Sequence, residues 1–437
     1  MSPPRAAPAP AAASLRDNGA FVRLWTAGTV SYVGSFVTRT ALPLAAIIVL
    51  KAGPLEISAL RSLEFAGYLI VGLFAGAWVD RLRRRPLMVG ADLGRAALLG
   101  SIPIAAAAGV LGMPQLIVVA FFAATLSVFF NTASRAYLPT IVPTERLVAA
   151  NSALSASASA AEFTGFGLSG FLVQFLTAPI AITIDAISYV ASAVLLLTIR
   201  RPEPPPPPVA DREPVIREIR EGIGVVNRSP VLRALMLAHA ATHVMWGVYG
   251  SIYLLFAIDE IRLEPAAIGI IAALGGVGSF IGAAFAGRVS ARLGLGAAMI
   301  AGLALSAAGD ALIPLVPAGA VVLGSAMLIA QQLIGDSAGT VYEILETSLT
   351  QTIVEGRILG RVNATVGFVT TLTALAGAVL GGVAAELIGL RGAMVLGVAG
   401  GATAVLFVWF SPVRRLRVIP AAVDQAILGV EDLPLSE

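Results

Sequence analysis

The sequence predicts an all-α membrane protein: twelve transmembrane helices in two six-helix halves related by a parallel pseudo-two-fold repeat. Three observations carry that prediction. Of the 437 residues, 57% are hydrophobic and only 13% charged, about half the charge of an average soluble protein, so lipid must face much of the surface. Apolar runs long enough to cross a bilayer, about 20 residues each, occur as six, a gap, and six more. Residues in the two sets also match at a nearly constant offset. The same composition rules out a disordered chain and nearly rules out a soluble enzyme.

Residues 1–14 are rich in Pro and Ala around a single Arg5. They lack the compact apolar core and small-residue cleavage site of a signal peptide, so residues 1–20 read as a disordered cytoplasmic tail. Spans follow at residues 24–49, 57–79, 87–109, 113–134, 147–175 and 178–199, completing an N-terminal half at 21–199. The gap, 200–231, opens with the proline run Pro204–Pro208, a semi-rigid extended spacer. It continues with Ile216, Ile219, Ile223 and Val226 on one helical face, as in an amphipathic helix lying on a membrane surface. The second half, 232–411, holds spans at 232–257, 265–287, 295–316, 319–342, 359–385 and 390–411, and residues 412–437 form a second tail. With both termini cytoplasmic, 23 of the 29 basic residues lie in cytoplasmic segments or the adjoining span ends. Lys51, Arg61, Arg262 and Arg391 lie on the outer side, a strong positive-inside bias. The expected location is therefore a bacterial-type inner membrane. The arginines are spread along the chain and the net charge is only +3, so nucleic acid is not an expected partner. The chain has no cysteine and two histidines, so neither a metal site nor any other cofactor is expected.

Shifting the sequence by 212 residues places Thr140, Ile141 and Val142 on Thr352, Ile353 and Val354, Asn151 on Asn363, Gly165 on Gly377 and Gly170 on Gly382. Six spans is an even number, so both copies keep one orientation and are related by an axis along the membrane normal. The stretch Gly76-Ala-Trp-Val-Asp80-Arg81-Leu-Arg83-Arg84-Arg85 resembles the loop signature of the major facilitator superfamily, with Arg83 where that family usually has Gly. Ala136 through Asn151 and Glu218 through Pro230 resemble the branch containing macrolide-efflux proteins and the enterobactin exporter. The resemblance implies alternating access between two rocking halves, and a cytoplasmic latch in which Asp80 meets Arg81, Arg135 or the chain near Gly360, with Arg84 nearby. The residues alone also allow a simple topology anchor at this arginine run. At a shift of 211, which places Gly76 on Gly287 and Arg81 on Arg292, Asp80 falls on Ala291, so it has no second-half copy. Phe166 occupies the place of the proline in the family's antiporter motif.

Charges within the spans are not duplicated: the repeat puts Arg39 on Ser251, Glu64 on Gly276, Glu162 on Ala374 and Asp185 on Gly397. Intramembrane ionisable groups by default face a protein interior or a wet cavity. Arg39 and Glu64 are expected at similar depth, about 18 Å and 15 Å from their outer ends, as an ion pair or a proton-released switch. Glu162 at mid-span is the favoured proton-coupling residue, with Glu64, Asp185 and Asp336 as further candidates. Asp92 and Arg95 read as structural. His239 and His243, with Trp246, Tyr249 and Tyr253 extending their stripe, serve packing or line an aromatic cavity. Ala240 stands where a zinc-protease helix needs its Glu. Arg39, His239, His243, Trp246, Gln331 and Gln332 are the expected substrate contacts. The expectation is a non-enzymatic secondary transporter, a proton-coupled exporter of an amphipathic drug-like compound or secondary metabolite. The alternatives are a uniporter or importer without proton coupling, and a non-transporting scaffold or receptor.

Overall fold

The computed structural model describes residues 15–418 except Asp80, Pro202, 204–214 and Glu355. Asp80, the proline run and most of both tails therefore lie outside the described residues. Among the described residues all regular structure is helical. The first half comprises α1 (Gly19–Leu44), α2 (Pro54–Val79), α3 (Arg84–Ala107), α4 (Met113–Ile141), α5 (Leu147–Leu176) and α6 (Ala178–Leu197). The linker helix α7 (Val215–Arg228) leads to α8 (Pro230–Leu255), α9 (Pro265–Leu293), α10 (Leu295–Asp310) with the short turn α11 (Leu312–Leu315), α12 (Val321–Ile353) and α13 (Gly356–Trp409). Among the described residues, nine helices are long and apolar enough to span a bilayer. The last of them bends at Gly389 into two rods. The helices α2 and α5 complete the twelve; as shown below, both face the other half.

Local chemistry sets the helix ends. Asn18 caps α1 by accepting from the Phe21 amide, and Ser229 caps α8 by accepting from Leu232, each satisfying an otherwise orphaned donor. Pro54, Pro230 and Pro265 open their helices, where the missing N–H costs nothing.

The duplication is written in the backbone more clearly than in the side chains. In the first half α1 packs on α5 and α6, α2 on α4, and α3 on α4 and α6; in the second, α8 packs on α13, α9 on α12, and α10 on α12 and α13. Both α1 and α8 widen into a π-turn, at Ala45–Val49 and Phe256–Glu260. Positive φ recurs at matching places: Lys51 (55°) with Arg262 (67°), Gly109 with Gly319 (both 70°), and Thr177 (79°) with Gly389 (78°). At Thr177 the ψ of 154° places a β-branched residue in a region almost reserved for glycine, at a cost of about 1–3 kcal/mol. Thr177→Gly is therefore expected to raise stability by roughly 1 kcal/mol, read as a higher Tm of the purified protein.

Four apolar cores fill the molecule, two in each half. We call the face bearing α7 and the start of α1 the near face, and the opposite one the far face. The far-face core of the first half, around Leu44, Ile57, Leu116 and Ile182, takes in Leu255 of the second half and packs on Leu254, Ile258 and Leu390. The far-face core of the second half also packs on Leu254, Ile258 and Leu390. The near-face cores, around Met88 and Tyr137 in one half and Leu295 and Leu349 in the other, share no residue. The halves are thus joined at the far face.

Candidate transport cavity

Two helix seams close the far face. Along α5, Phe163, Gly167, Gly170 and Gln174 recur at spacings of three and four, one stripe of a helix. This stripe meets α9. Phe163 packs at Gly276, and Gly167 at Ala273; Gly170 lies backbone to backbone with Pro265 and Gly269. Gln174 donates to Glu264 at 2.8 Å and accepts from the Ala266 amide at 2.9 Å. Small residues let helix backbones approach this closely in lipid. In the second seam, Ser58 of α2 donates to the Ala378 carbonyl of α13 at 2.7 Å and packs against Gly382. Arg61 donates to the Gly250 carbonyl of α8 at 3.1 Å.

Towards the near face the same helices separate. Val148 at the near end of α5 is 79% exposed, and Leu293 at the near end of α9 and Trp78 at that of α2 are also exposed. Between the halves lies a cavity open to the near face, ending where Phe163 touches Gly276.

Its walls hold Arg39, Glu162 and Asp336, three of the charges singled out in the sequence. On α5, Gly165 and Ser169 turn inward to α1, and Phe171 and Phe175 stack outward towards lipid. Glu162 and Phe166, one turn apart, take the remaining face, and Glu162 is exposed there. Arg39 of α1 is exposed and lies 5.9 Å from the centre of the Phe166 ring. On α12, Asp336 and Gln332 reach α9 at Gly275, where an added Cβ would lie 2.5 Å from Asp336 Oδ2 and 2.6 Å from Gln332 Nε2. Gln332 donates to the Ile271 carbonyl at 3.3 Å. Glu162 precedes Phe163 on α5, and Asp336 reaches Gly275, the neighbour of Gly276 on α9, so the two carboxylates come from opposite halves to the region of the Phe163–Gly276 contact. On α8, His239, His243, Trp246 and Gly250 form a stripe of spacing four, three and four. It meets α2 at Gly250 and lines the cavity below, with Trp246 exposed. The two imidazoles stack at 4.2 Å, and His243 Nδ1 lies 2.8 Å from the His239 carbonyl.

Several placements differ from the expectation. Glu64 pairs with Arg61 at 2.8 Å, one turn away on the same helix, rather than with Arg39. Arg61 also reaches the Arg39 carbonyl at 3.2 Å. Positive-inside counting places Arg61 at an outer end, but its i,i+3 spacing from Glu64 is the signal for this pair. Gln331 turns into its own half, donating to buried Asp310 at 3.1 Å. Tyr249 does the same through the Asp310 carbonyl. Asp185 is buried within the first half. At the near face, Arg81 and Arg135 are exposed. Glu203 accepts from the Arg84 and Arg85 amides at 2.7 and 3.2 Å, capping α3. The linker helix sets Gly222 against α13, where Glu221 pairs with Arg361.

A twelve-helix duplicated bundle with a cavity between halves is an architecture shared by many transporters, and the sequence decides among them. Residues 24–257 match the family model described as Major Facilitator Superfamily. The chain belongs to this superfamily. A second model from the same superfamily, described as MFS/sugar transport protein, matches residues 175–395. As a superfamily member, the chain is similar to macrolide efflux protein A of Streptococcus pyogenes, 25% identical over 85% of this chain and 90% of the relative. It is also similar to an uncharacterized MFS-type transporter of Bacillus subtilis, 24% identical over 86% and 88%. Among solved structures, a bacterial homologue of the iron transporter ferroportin in an inward-facing state superposes with a TM-score of 0.72 at 18% identity, covering 91% of this chain and 98% of that one. An inward-facing bacterial homologue of the lysosomal transporter Spinster gives 0.70 at 15% identity, covering 91% and 97%. This superfamily member is a multi-pass membrane transporter of small molecules.

Proposed function

We propose that this transporter is a proton-coupled exporter of an amphipathic drug-like compound or secondary metabolite, working by alternating access in a bacterial inner membrane. The reading is supported by Glu162, next to Phe163 on α5, and Asp336, whose carboxylate reaches Gly275 beside the Phe163–Gly276 contact from the other half. A carboxylate at mid-membrane depth is costly when charged and dry, so its protonation state is tied to whether the cavity above it is wet. Protonation of either residue favours closing the near face over it; opening to the other side releases the proton. Glu64, held by Arg61, tunes the far-face seal. Arg39, Phe166, Trp246, His239, His243 and Gln332 offer aromatic and polar contacts suited to an amphipathic molecule. The near face is cytoplasmic in this proposal, supported by the arginine bias. The units 21–199 and 232–411 rock about the far-face seams. In the opposite state Arg81, Arg84 and Arg135 meet the second half as a latch. Export is supported by the similarity to macrolide efflux protein A.

The test is proteoliposome transport of a panel of macrolides and other amphipathic compounds, with and without an imposed pH gradient. The expected result is uphill movement of at least one compound, collapsed by a protonophore. Counterflow that ignores the gradient points to a uniporter, and no counterflow for any compound points to a scaffold; either result removes the proposal.

A further inference from the structure

Inside the first half, away from the cavity, α1, α3, α4 and α6 enclose a second set of charges. Asp92 and Arg95, one turn apart on α3, pair directly and are almost wholly buried. The Arg95 guanidinium also donates to Ser127 of α4 at 3.2 Å, and lies 4.0 Å from the Tyr189 ring centre and 4.7 Å from that of Phe130. The Tyr189 hydroxyl meets Ser35 of α1 at 2.8 Å. One turn along α6, Asp185 is 0% exposed. It accepts from Ser188 at 3.0 Å and faces Gly34 and Thr38 of α1. The enclosure thus holds two carboxylates and one guanidinium, which is paired with Asp92. Asp185 Oδ2, Asp92 Oδ2 and Ser192 Oγ are buried without a partner in normal hydrogen-bond geometry.

An unbalanced charge sealed inside a lipid-embedded bundle neutralises by taking up a proton. The groups around Asp185 decide where that proton goes. Arg95 is held by Asp92 and sandwiched by two rings, and Tyr189 is engaged with Ser35. From α1, Thr38 offers a hydroxyl, and α4 brings Ser127 to Arg95 rather than to Asp185. The guanidinium and the flanking rings disfavour a metal ion in the same space. A carboxyl with one oxygen accepting from Ser188 and the other bare beside Thr38 is the arrangement of a neutral acid.

We propose that this cluster is a binding site for one proton, carried on Asp185 and separate from the carboxylates at the cavity apex. The site stands whether or not the chain exports its substrate. Its consequence passes through α1. Gly34 and Thr38 face Asp185 on one side of that helix, while Phe36 packs on Phe166 at 5.2 Å and Arg39 lies over the same ring on the other. Loss of the proton would put an unpaired charge against α1 and draw water into its seam with α6, shifting a helix that lines the cavity.

Infrared spectroscopy of the full-length protein in lipid tests this. The wild type is expected to show, at neutral pH, the carbonyl stretch of a protonated carboxyl, slow to shift in D2O. That band is lost in Asp185→Asn and kept in Asp336→Asn. Asp185→Asn copies the neutral acid and is expected to change Tm by less than about 3 °C, whereas Asp92→Asn strands Arg95 and lowers it further. Should Asp185→Asn not fold, Asp185→Glu is expected to move the band rather than remove it. Persistence of the band unchanged in these Asp185 variants overturns the proposal. So does a Tm that rises with sodium in the wild type but not in Asp185→Asn, which would mark a metal-cation site.

Discussion

Glu162→Gln is expected to cut gradient-driven efflux at least tenfold while leaving substrate binding in place. Glutamine keeps the shape and loses the proton. Glu162 is exposed on the cavity face of α5, so the substitution strands no buried partner and the fold is expected to tolerate it. A loss of coupling with binding retained separates a proton role from a packing role, because a packing defect weakens both. Asp336→Asn is expected to act in the same direction from the other half. Glu64→Gln is expected to do less to coupling and more to the far-face seal, since its carboxylate is held by Arg61. Uphill transport at the normal rate in both Glu162→Gln and Asp336→Asn would remove the coupling proposal.

Gly170→Leu is expected to displace the conformational balance further than any cavity substitution. At Gly170 a Cβ would run into the Pro265 carbonyl and stand 3.0 Å from Gly269 Cα and N. Backbone atoms cannot step aside, so the helices must part. Overpacking of this kind costs about 1–3 kcal/mol. The cost falls on the state in which the far-face seam is shut. A penalty of about 2 kcal/mol shifts that population by roughly thirtyfold towards the far-face-open state. The chain has no native cysteine, so thiol labelling of a single cysteine placed at Ser58, buried in the second far-face seam, reads the change directly. Labelling is expected to rise in Gly170→Leu and to stay unchanged in Gly100→Ala, where an added Cβ meets nothing within 4 Å.

The architecture was legible in the sequence because lipid imposes a length and an orientation on every span, and both leave compositional marks. The repeat was visible through a handful of glycines. Its clearest form, the paired left-handed residues at Lys51 and Arg262 and at Thr177 and Gly389, was hidden because a lysine, a threonine and an arginine do not announce positive φ. The identities of the charged groups were equally legible, but their partners were not. Glu64 chose Arg61 on its own helix over Arg39 on the neighbouring one, a matter of helix rotation that hydropathy does not encode. Gln331 and Gln332 are adjacent in sequence yet face different ways, about 100° apart on a helix. One bonds Asp310 within its half and the other reaches α9 beside Asp336. Asp92 and Arg95 read as structural and are paired. Their joint burial with Asp185 depends on how α1, α3 and α6 assemble, which no local pattern specifies.

The central claim is that the two halves pivot about the far-face seams, so that one face opens as the other shuts. Paired spin labels on Val148 and Arg288, at the near ends of α5 and α9, and on Gln174 and Ala266, at their far ends, measure it directly by pulsed electron resonance. Acidification with a transported compound is predicted to shorten the near-end distance and lengthen the far-end one, and Gly170→Leu to do the same without either. Two distances that rise and fall together, or that stay fixed under every condition, would contradict the account.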